Sequence, residues 1–228
     1  MKRTHPFSSD DEFQAAVTQV YEDGWADYAS RWETPHADHA EEWQRFMAAV
    51  KPGGSVLDVG CNAGTDAKRF VDQGYCGTGL DVSNNALRLC KQRCPQARTV
   101  QMNMLEMADL NERFDGVWMS YSLVHIPFAR IHDALAAMES VLHPEGSLFM
   151  MMTVTDQPKE KLHNSNVMFE ASGVPRKVPV AHWAPDPLVE CFRSHFQICW
   201  QGRRPFVDGF SPFGLQVRSR RSTSLKAD

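Results

Sequence analysis

The sequence predicts an α/β protein built on a mostly parallel, doubly wound sheet with helices on both faces. Two observations predict it. From residue 55 to residue 153, short apolar runs alternate with stretches of helical period, the pattern of successive βαβ units. Between the first run and its helix lies Gly60-Cys61-Asn62-Ala63-Gly64, a loop of small residues that lets backbone approach a ligand closely.

Residues 10–50 have helical character, with Trp25, Tyr28 and Trp32 three and four apart on one face. A second helical stretch, Ala40 to Val50, stops at Lys51-Pro52-Gly53-Gly54. Ser55–Gly60 then reads as a buried strand. Thr65–Gln73 follows as a helix with Ala67, Phe70 and Val71 inward and Gly74 at its C-terminal end. Tyr75–Asp81 is the second strand, and Ser83 can cap a helix running to about Arg93, which Pro95 prevents from continuing. Arg98–Met102 and Phe114–Ser120 are the next two strands. Ala129–Leu142 is the clearest helix, because Ile131, Leu135, Met138 and Leu142 share one face.

His143-Pro144-Glu145-Gly146 is expected to turn the chain into a fifth strand, Ser147–Thr153. Residues 154–183 lose the rhythm; polar and proline-bearing, they predict a loop-rich insertion over the sheet's carboxyl edge. Asp186 as N-cap and Pro187 at the first helical position open a helix to about His195. Gln197–Arg203 and Leu215–Arg220 are expected to pair as a hairpin at the far edge. The organisation expected is a helical cap over 1–50, a main domain over 51–220 that carries the insertion, and a fraying tail over 221–228.

Composition narrows the function classes. A net charge of −4 argues against a broad nucleic-acid-binding face, which needs a cationic surplus. The longest apolar run, Leu148 to Met152, is far short of a membrane span, and the first residues lack the apolar stretch of a signal peptide. A cytoplasmic protein is expected. The six cysteines form no Cys-x-x-Cys pair, so no metal site is expected, and Cys90 and Cys94 read as small buried hydrophobes.

The chemistry concentrates around the glycine loop. A helix N-terminus behind it offers unpaired N–H groups to a carboxylate or phosphate. Asp81 ends the second strand, 21 residues beyond Gly60, where a carboxylate can accept both hydroxyls of a ribose. The bland alternative for Asp81 is a helix-capping aspartate. The loop is Gly-x-x-x-Gly and lacks the Gly-x-Gly-x-x-Gly of dinucleotide sites, which weighs against NAD.

Together with Asp58, the stretch VLDVGCNAG resembles motif I of the class I methyltransferases, usually Asp/Glu-x-Gly-x-Gly-x-Gly. GYCGTGLDVS, FDGVWMSYSLVHIP and VLHPEGSLFM continue the resemblance in order, over roughly residues 20 to 153. Two departures stand out. Asn62 occupies the usual middle glycine, and asparagine tolerates left-handed backbone better than most residues. Asn103 occupies a position often held by aspartate near the adenine, where an amide can still accept and donate.

The resemblance implies a seven-stranded, Rossmann-like sheet of order 3-2-1-4-5-7-6 with the seventh strand antiparallel. It implies S-adenosylmethionine (SAM) as cofactor and S-adenosylhomocysteine (SAH) as product. Asp58, Gly60, Cys61, Asn62 and Gly64 would form the loop, Val82 and Met104 would flank adenine, and Met119 or Ser120 would hold the methionyl amine through the backbone. Trp25, Tyr28 and His39 could close over the methionine end; plain core packing for the two aromatics and a surface place for His39 are the alternatives.

His125 and Tyr121 follow the fourth strand on the expected acceptor side. His125 is a candidate base and Tyr121 a candidate substrate hydrogen-bonder, while a histidine merely bonded to a neighbouring loop is the other reading. The N-terminal helix and residues 154–183, with His163, His182 and Trp183, should roof the acceptor pocket. A small-molecule O- or N-methyltransferase is the leading expectation. A methyltransferase acting on protein or tRNA, and a SAM-binding protein without transferase activity, stand beside it.

Overall fold

A computed structural model of the chain describes residues 7–31, 39–164, 177–205 and 211–220. Side chains within 25–31, 161–164 and at 177 also lie outside the described residues.

Two helices lead: α1 (Asp10–Arg31) and α2 (Ala40–Ala49). The α1 start is capped by side chains, a signal that the sequence reading passed over. Ser9 Oγ accepts the Glu12 N–H at 3.1 Å, and the Glu12 carboxylate reaches back to the Ser8 N–H at 2.7 Å. Asp10, Asp11 and Glu12 also place negative charge at the positive end of the helix dipole.

The alternating units follow as predicted: β1 (Ser55–Val59), α3 (Thr65–Asp72), β2 (Cys76–Asp81), α4 (Asn84–Arg93), β3 (Arg98–Gln101) and β4 (Phe114–Ser120). Ser83 caps α4, its hydroxyl accepting the Ala86 N–H at 3.1 Å. A 3-10 helix at Met104–Leu110 joins β3 to β4, and single 3-10 turns at Leu123–His125 and Phe128–Arg130 lead from β4 into α5 (Ile131–Val141). Then come β5 (Leu142–Val154), β6 (Lys159–Asn164), β7 (Lys177–His182), α6 (Pro185–His195), β8 (Phe196–Arg203) and β9 (Ser211–Ser219).

The main sheet has seven strands in the order β3-β2-β1-β4-β5-β9-β8. The first five are parallel, and β9 runs antiparallel to both β5 and β8. Counted within the sheet alone, this is the expected 3-2-1-4-5-7-6 order.

Both faces of the central strands are buried, and alternation along each strand assigns the side chains. Leu57, Val59, Val117, Met119, Leu148 and Met150 enter one core with α5 and α6. Val56, Trp118, Phe149 and Met151 enter the other, against Trp43 and Phe46 of α2 and Phe70 of α3. That second core is an aromatic stack. Trp43 lies on Phe70 at 4.5 Å and Trp118 on Phe149 at 5.2 Å between ring centroids. Phe13 and Val17 bury the apolar side of α1.

Three expectations need correction. His143–Gly146 is not a turn: β5 begins at Leu142 directly after α5, and a register shift between Phe114 and Gly116 absorbs the polar residues. Residues 154–183 are not merely loop-rich, since β6 and β7 pair as an antiparallel hairpin from Lys159↔His182 to Asn164↔Lys177. Their charges and prolines hid the alternation. The α6 cap is Ala184 rather than Asp186, with Pro185 opening the helix and Asp186 in its first turn. Cys90 and Cys94 are buried, as expected. No helix of the described residues is long and apolar enough to cross a membrane.

Candidate functional site

A cleft of about 580 Å³, counted out to its mouth, opens at the carboxyl ends of β1, β2 and β4. In open α/β sheets this is where the strand order reverses, and neighbouring loops diverge to leave a crevice. The described residues that line it come from four places: α1, the β1 loop, the β2–β3 ends and the segment after β4.

The β1 loop is shaped by left-handed backbone. Gly60, Asn62 and Gly64 have φ of 75°, 50° and 77°. Only glycine avoids both strain and collision at the two ends. A Cβ on Gly60 would sit 2.5 Å from the Ser122 Cβ, and one on Gly64 would sit 2.3 Å from the Cys90 sulfur. Asn62 does take the left-handed form expected of it. Its side-chain oxygen accepts the Ala63 N–H at 2.6 Å, a local bond that steadies the turn.

At the end of β2, Asp81 is buried and lines the cleft. Its carboxylate accepts the Asn62 N–H at 2.8 Å and the Ser83 N–H at 2.9 Å. Burial pushes the carboxyl above its usual range, opposed by hydrogen bonds from the backbone of Ser83, Asn62 and Val82. Asp58 lies beneath the loop, buried, with Oδ2 accepting no hydrogen bond from the described residues. Burial first, and the Asp66 charge second, push it well above the usual range.

Along the next wall, Val82, Met102, Asn103 and Met104 line the cleft. Asn103 caps the turn that follows, its oxygen accepting the Leu105 N–H at 3.0 Å while its amide donates to Gln14 Oε1 at 3.1 Å. After β4, Ser120, Tyr121, Ser122 and His125 close the opposite end. Tyr121 has φ of 58°, an uncommon state for an aromatic residue, and its hydroxyl lies 3.3 Å from His39 Nε2. His39 is buried and not a surface histidine.

Of the residues singled out from the sequence, Gly60, Asn62, Asp81, Val82, Asn103, Met104, Ser120, Tyr121 and His125 line one cleft. Four do not. Asp58 supports the loop from below, and Cys61 packs with Ala67, Leu87 and Cys90. Gly64 abuts Cys90, and Met119 is wholly buried in the core on the α5 side. Trp25 and Tyr28 fall within α1, but their side chains lie outside the described residues, as does that of His163. His182 and Trp183 are buried, and Trp183 packs edge-on against Phe128 at 4.6 Å.

The sequence reading missed Gln14, Val17 and Tyr21, which α1 presents to the cleft at positions i, i+3 and i+7. That spacing marks one helical face, but a helical period does not say which cleft the face meets. Chemically, the site combines an anchored loop with bare backbone, a buried carboxylate, an apolar slot and, at the far end, an imidazole with two phenols.

Residues 56–146 match the family model of the methyltransferase domain. An uncharacterised methyltransferase of Alkaliphilus oremlandii is 26% identical over 155 residues, covering 68% of this chain and 63% of that protein. A demethylmenaquinone methyltransferase of Renibacterium salmoninarum is 29% identical over 109 residues, covering 46% and 45%. The chain thus spans less than two thirds of the length of these relatives. Among solved structures, the Burkholderia thailandensis 1,6-didemethyltoxoflavin-N1-methyltransferase, with 1,6-didemethyltoxoflavin and SAH bound, superposes with a TM-score of 0.73. It is 21% identical, and the match covers 94% of this chain and 92% of that one. Residues 56–146 are thus similar to the methyltransferase domain, and the chain has the Rossmann-like fold of the class I methyltransferases.

Proposed function

We propose that the protein transfers a methyl group from SAM to an oxygen or nitrogen atom of a small-molecule acceptor, releasing SAH. One observation carries this reading. The anchored loop, Asp81 and the slot of Val82, Asn103 and Met104 share a single cleft with His125 and Tyr121.

The residues fit the cofactor. Asp81 would accept the ribose hydroxyls, and Val82 and Met104 would flank the adenine with Asn103 at its edge. Gly60, whose missing Cβ leaves backbone exposed, and the Ser120 backbone would hold the methionine part. Bound there, SAM supplies a sulfonium-activated methyl group; the protein's tasks are to align the acceptor, exclude water and take up a proton. Among the described residues, no lysine or arginine lines the cleft, which favours a neutral small acceptor over a nucleic acid.

Titrating SAM and SAH into the full chain by calorimetry tests the reading first, and saturable binding of both is expected. No binding of either would overturn it. Labelled-methyl uptake from SAM across a metabolite library, with purified protein and tRNA in parallel, then locates the acceptor. Label on the macromolecules alone would favour the protein or tRNA reading, and binding with no transfer would favour a SAM-binding protein without activity.

A further inference from the structure

Resting on that methyltransferase reading, we propose that Tyr21 and His125 form a proton relay in which Tyr21 touches the acceptor. The relay selects acceptors whose attacking oxygen or nitrogen carries a proton that must leave.

His125 is buried in the turn after β4, and its two ring nitrogens have different partners. Nδ1 lies 2.9 Å from the carbonyl oxygen of Pro179 in β7. A carbonyl only accepts, so Nδ1 carries hydrogen. In a neutral imidazole that makes Nε2 the acceptor. Nε2 lies 2.7 Å from the Tyr21 hydroxyl, which therefore donates to it. The rings meet edge to face at 5.1 Å, fixing the phenol against the imidazole. The His125 main chain is also held, because its carbonyl accepts from Gln14 Nε2 at 2.6 Å. Three elements (α1, the turn after β4, and β7) thus set one tautomer and one direction of donation.

Both Tyr21 and His125 line the cleft. With its proton directed to Nε2, the Tyr21 oxygen is the acceptor that the pair offers to a third group. As the acceptor atom bonds to the methyl carbon, the carbon–sulfur bond breaks and its electron pair stays on sulfur. The acceptor's proton moves to the Tyr21 oxygen, and the Tyr21 proton moves to Nε2. The imidazolium so formed keeps its Nδ1–H on Pro179 and loses its extra proton to water after product leaves. A carboxylate or thiolate acceptor would need no such relay, and among the described residues no lysine or arginine lines the cleft to hold one. The geometry points to a neutral hydroxyl or N–H group, and the phenolic edge of Tyr21 suits a flat ring bearing it.

The test pairs a spectroscopic readout with turnover. In the protein without cofactor, long-range ¹H–¹⁵N spectra should show His125 as the Nδ1–H tautomer, with an Nε2 resonance that moves in Tyr21→Phe; an Nε2–H tautomer overturns the relay. With labelled SAM near neutral pH, catechol and the more acidic 4-nitrocatechol serve as probes. Tyr21→Phe should lose about 100-fold in kcat on catechol, within the span of general-base catalysis. On 4-nitrocatechol, already ionised in water, the loss should be at least about tenfold smaller, and SAH affinity should stay near wild type. Equal losses on the two probes, or none, would overturn the relay. SAH binding with neither probe methylated by wild type overturns the acceptor class, whereas absence of SAH binding overturns the underlying methyltransferase reading.

Discussion

The main-chain N–H of Asn62 donates to Asp81 Oδ2 at 2.8 Å, so the carboxylate at the end of β2 holds the loop at the end of β1. Its other oxygen accepts from Ser83 at the start of α4, and the Ser83 hydroxyl donates to Glu22 of α1 at 2.6 Å. One buried side chain therefore ties two crossover connections together and reaches the helix above them.

Asp81→Asn should disturb both roles. An amide presents N–H where one of the two backbone donors now points, leaving a buried donor without its acceptor, at a cost of about 1–3 kcal/mol. SAH affinity should fall at least about tenfold, since a bond to a charged group contributes ~1.5–3 kcal/mol. Calorimetry and urea unfolding measure the two effects. Unchanged affinity in a destabilised variant would leave Asp81 as loop anchor alone and remove the ribose assignment.

Asn62 separates backbone conformation from side-chain bonding. Asn62→Ala loses the 2.6 Å bond to the Ala63 N–H and also forces an unfavourable residue into φ of 50°. The left-handed conformation alone costs an L-residue about 1–2 kcal/mol. Asn62→Gly loses the same bond but carries no Cβ penalty. Urea unfolding should rank wild type and the glycine variant within about 1 kcal/mol of each other, with alanine clearly below both. Alanine and glycine variants of equal stability would show that the turn is held by its anchors and not by local conformation.

Asp58 should leave a mark on the pH dependence of stability. Burial and the neighbouring Asp66 raise its folded pKa above the unfolded value of about 4. Between those two values the folded protein binds more protons than the unfolded chain, so unfolding free energy falls as pH rises. The contribution is complete below about pH 4 and is lost as pH passes the folded value. Asp58→Asn removes it. The stability of wild type minus that of the variant should therefore decline as pH rises above about 4 in urea titrations. A difference that stays flat, or climbs, would mean that Asp58 is held as a carboxylate.

These three positions were legible in the sequence because strand, loop and helix follow one another locally. Asp58 and Gly60 to Gly64 sit at the β1–α3 junction, and Asp81 sits at the next strand end. Tyr21 and Gln14 were not legible as site residues. They lie 104 and 111 residues from the His125 atoms they bond, and nothing in a helical period says which face meets which cleft. The β6–β7 hairpin escaped for a different reason. Its strands KEKLHN and KVPVAH carry charges and a proline, so pairing rather than apolar alternation makes them strands. Asp186 looked like the better cap, yet helical backbone starts at Pro185, whose fixed φ suits the first position.

The placement of α1 gives the last prediction. Gln14 Nε2 donates to the His125 carbonyl at 2.6 Å, and Gln14 Oε1 accepts from Asn103 at 3.1 Å. Glu22 Oε2 accepts the Ser83 hydroxyl and, at 3.2 Å, the Asn85 N–H. These bonds span the cleft, so α1 is held as its cover by polar groups as well as by the burial of Phe13 and Val17. Gln14→Ala removes two of them while leaving the apolar contacts. Each such bond contributes about 1 kcal/mol, so backbone amides of α1 should exchange hydrogen some tenfold faster or more. Amides of β1 and β4 should keep their protection, because the sheet core does not depend on α1. The same loosening should speed SAH release. Uniform exchange across α1 and the sheet would instead make the helix part of the global folding unit, and a cover that opens by itself would have to be abandoned.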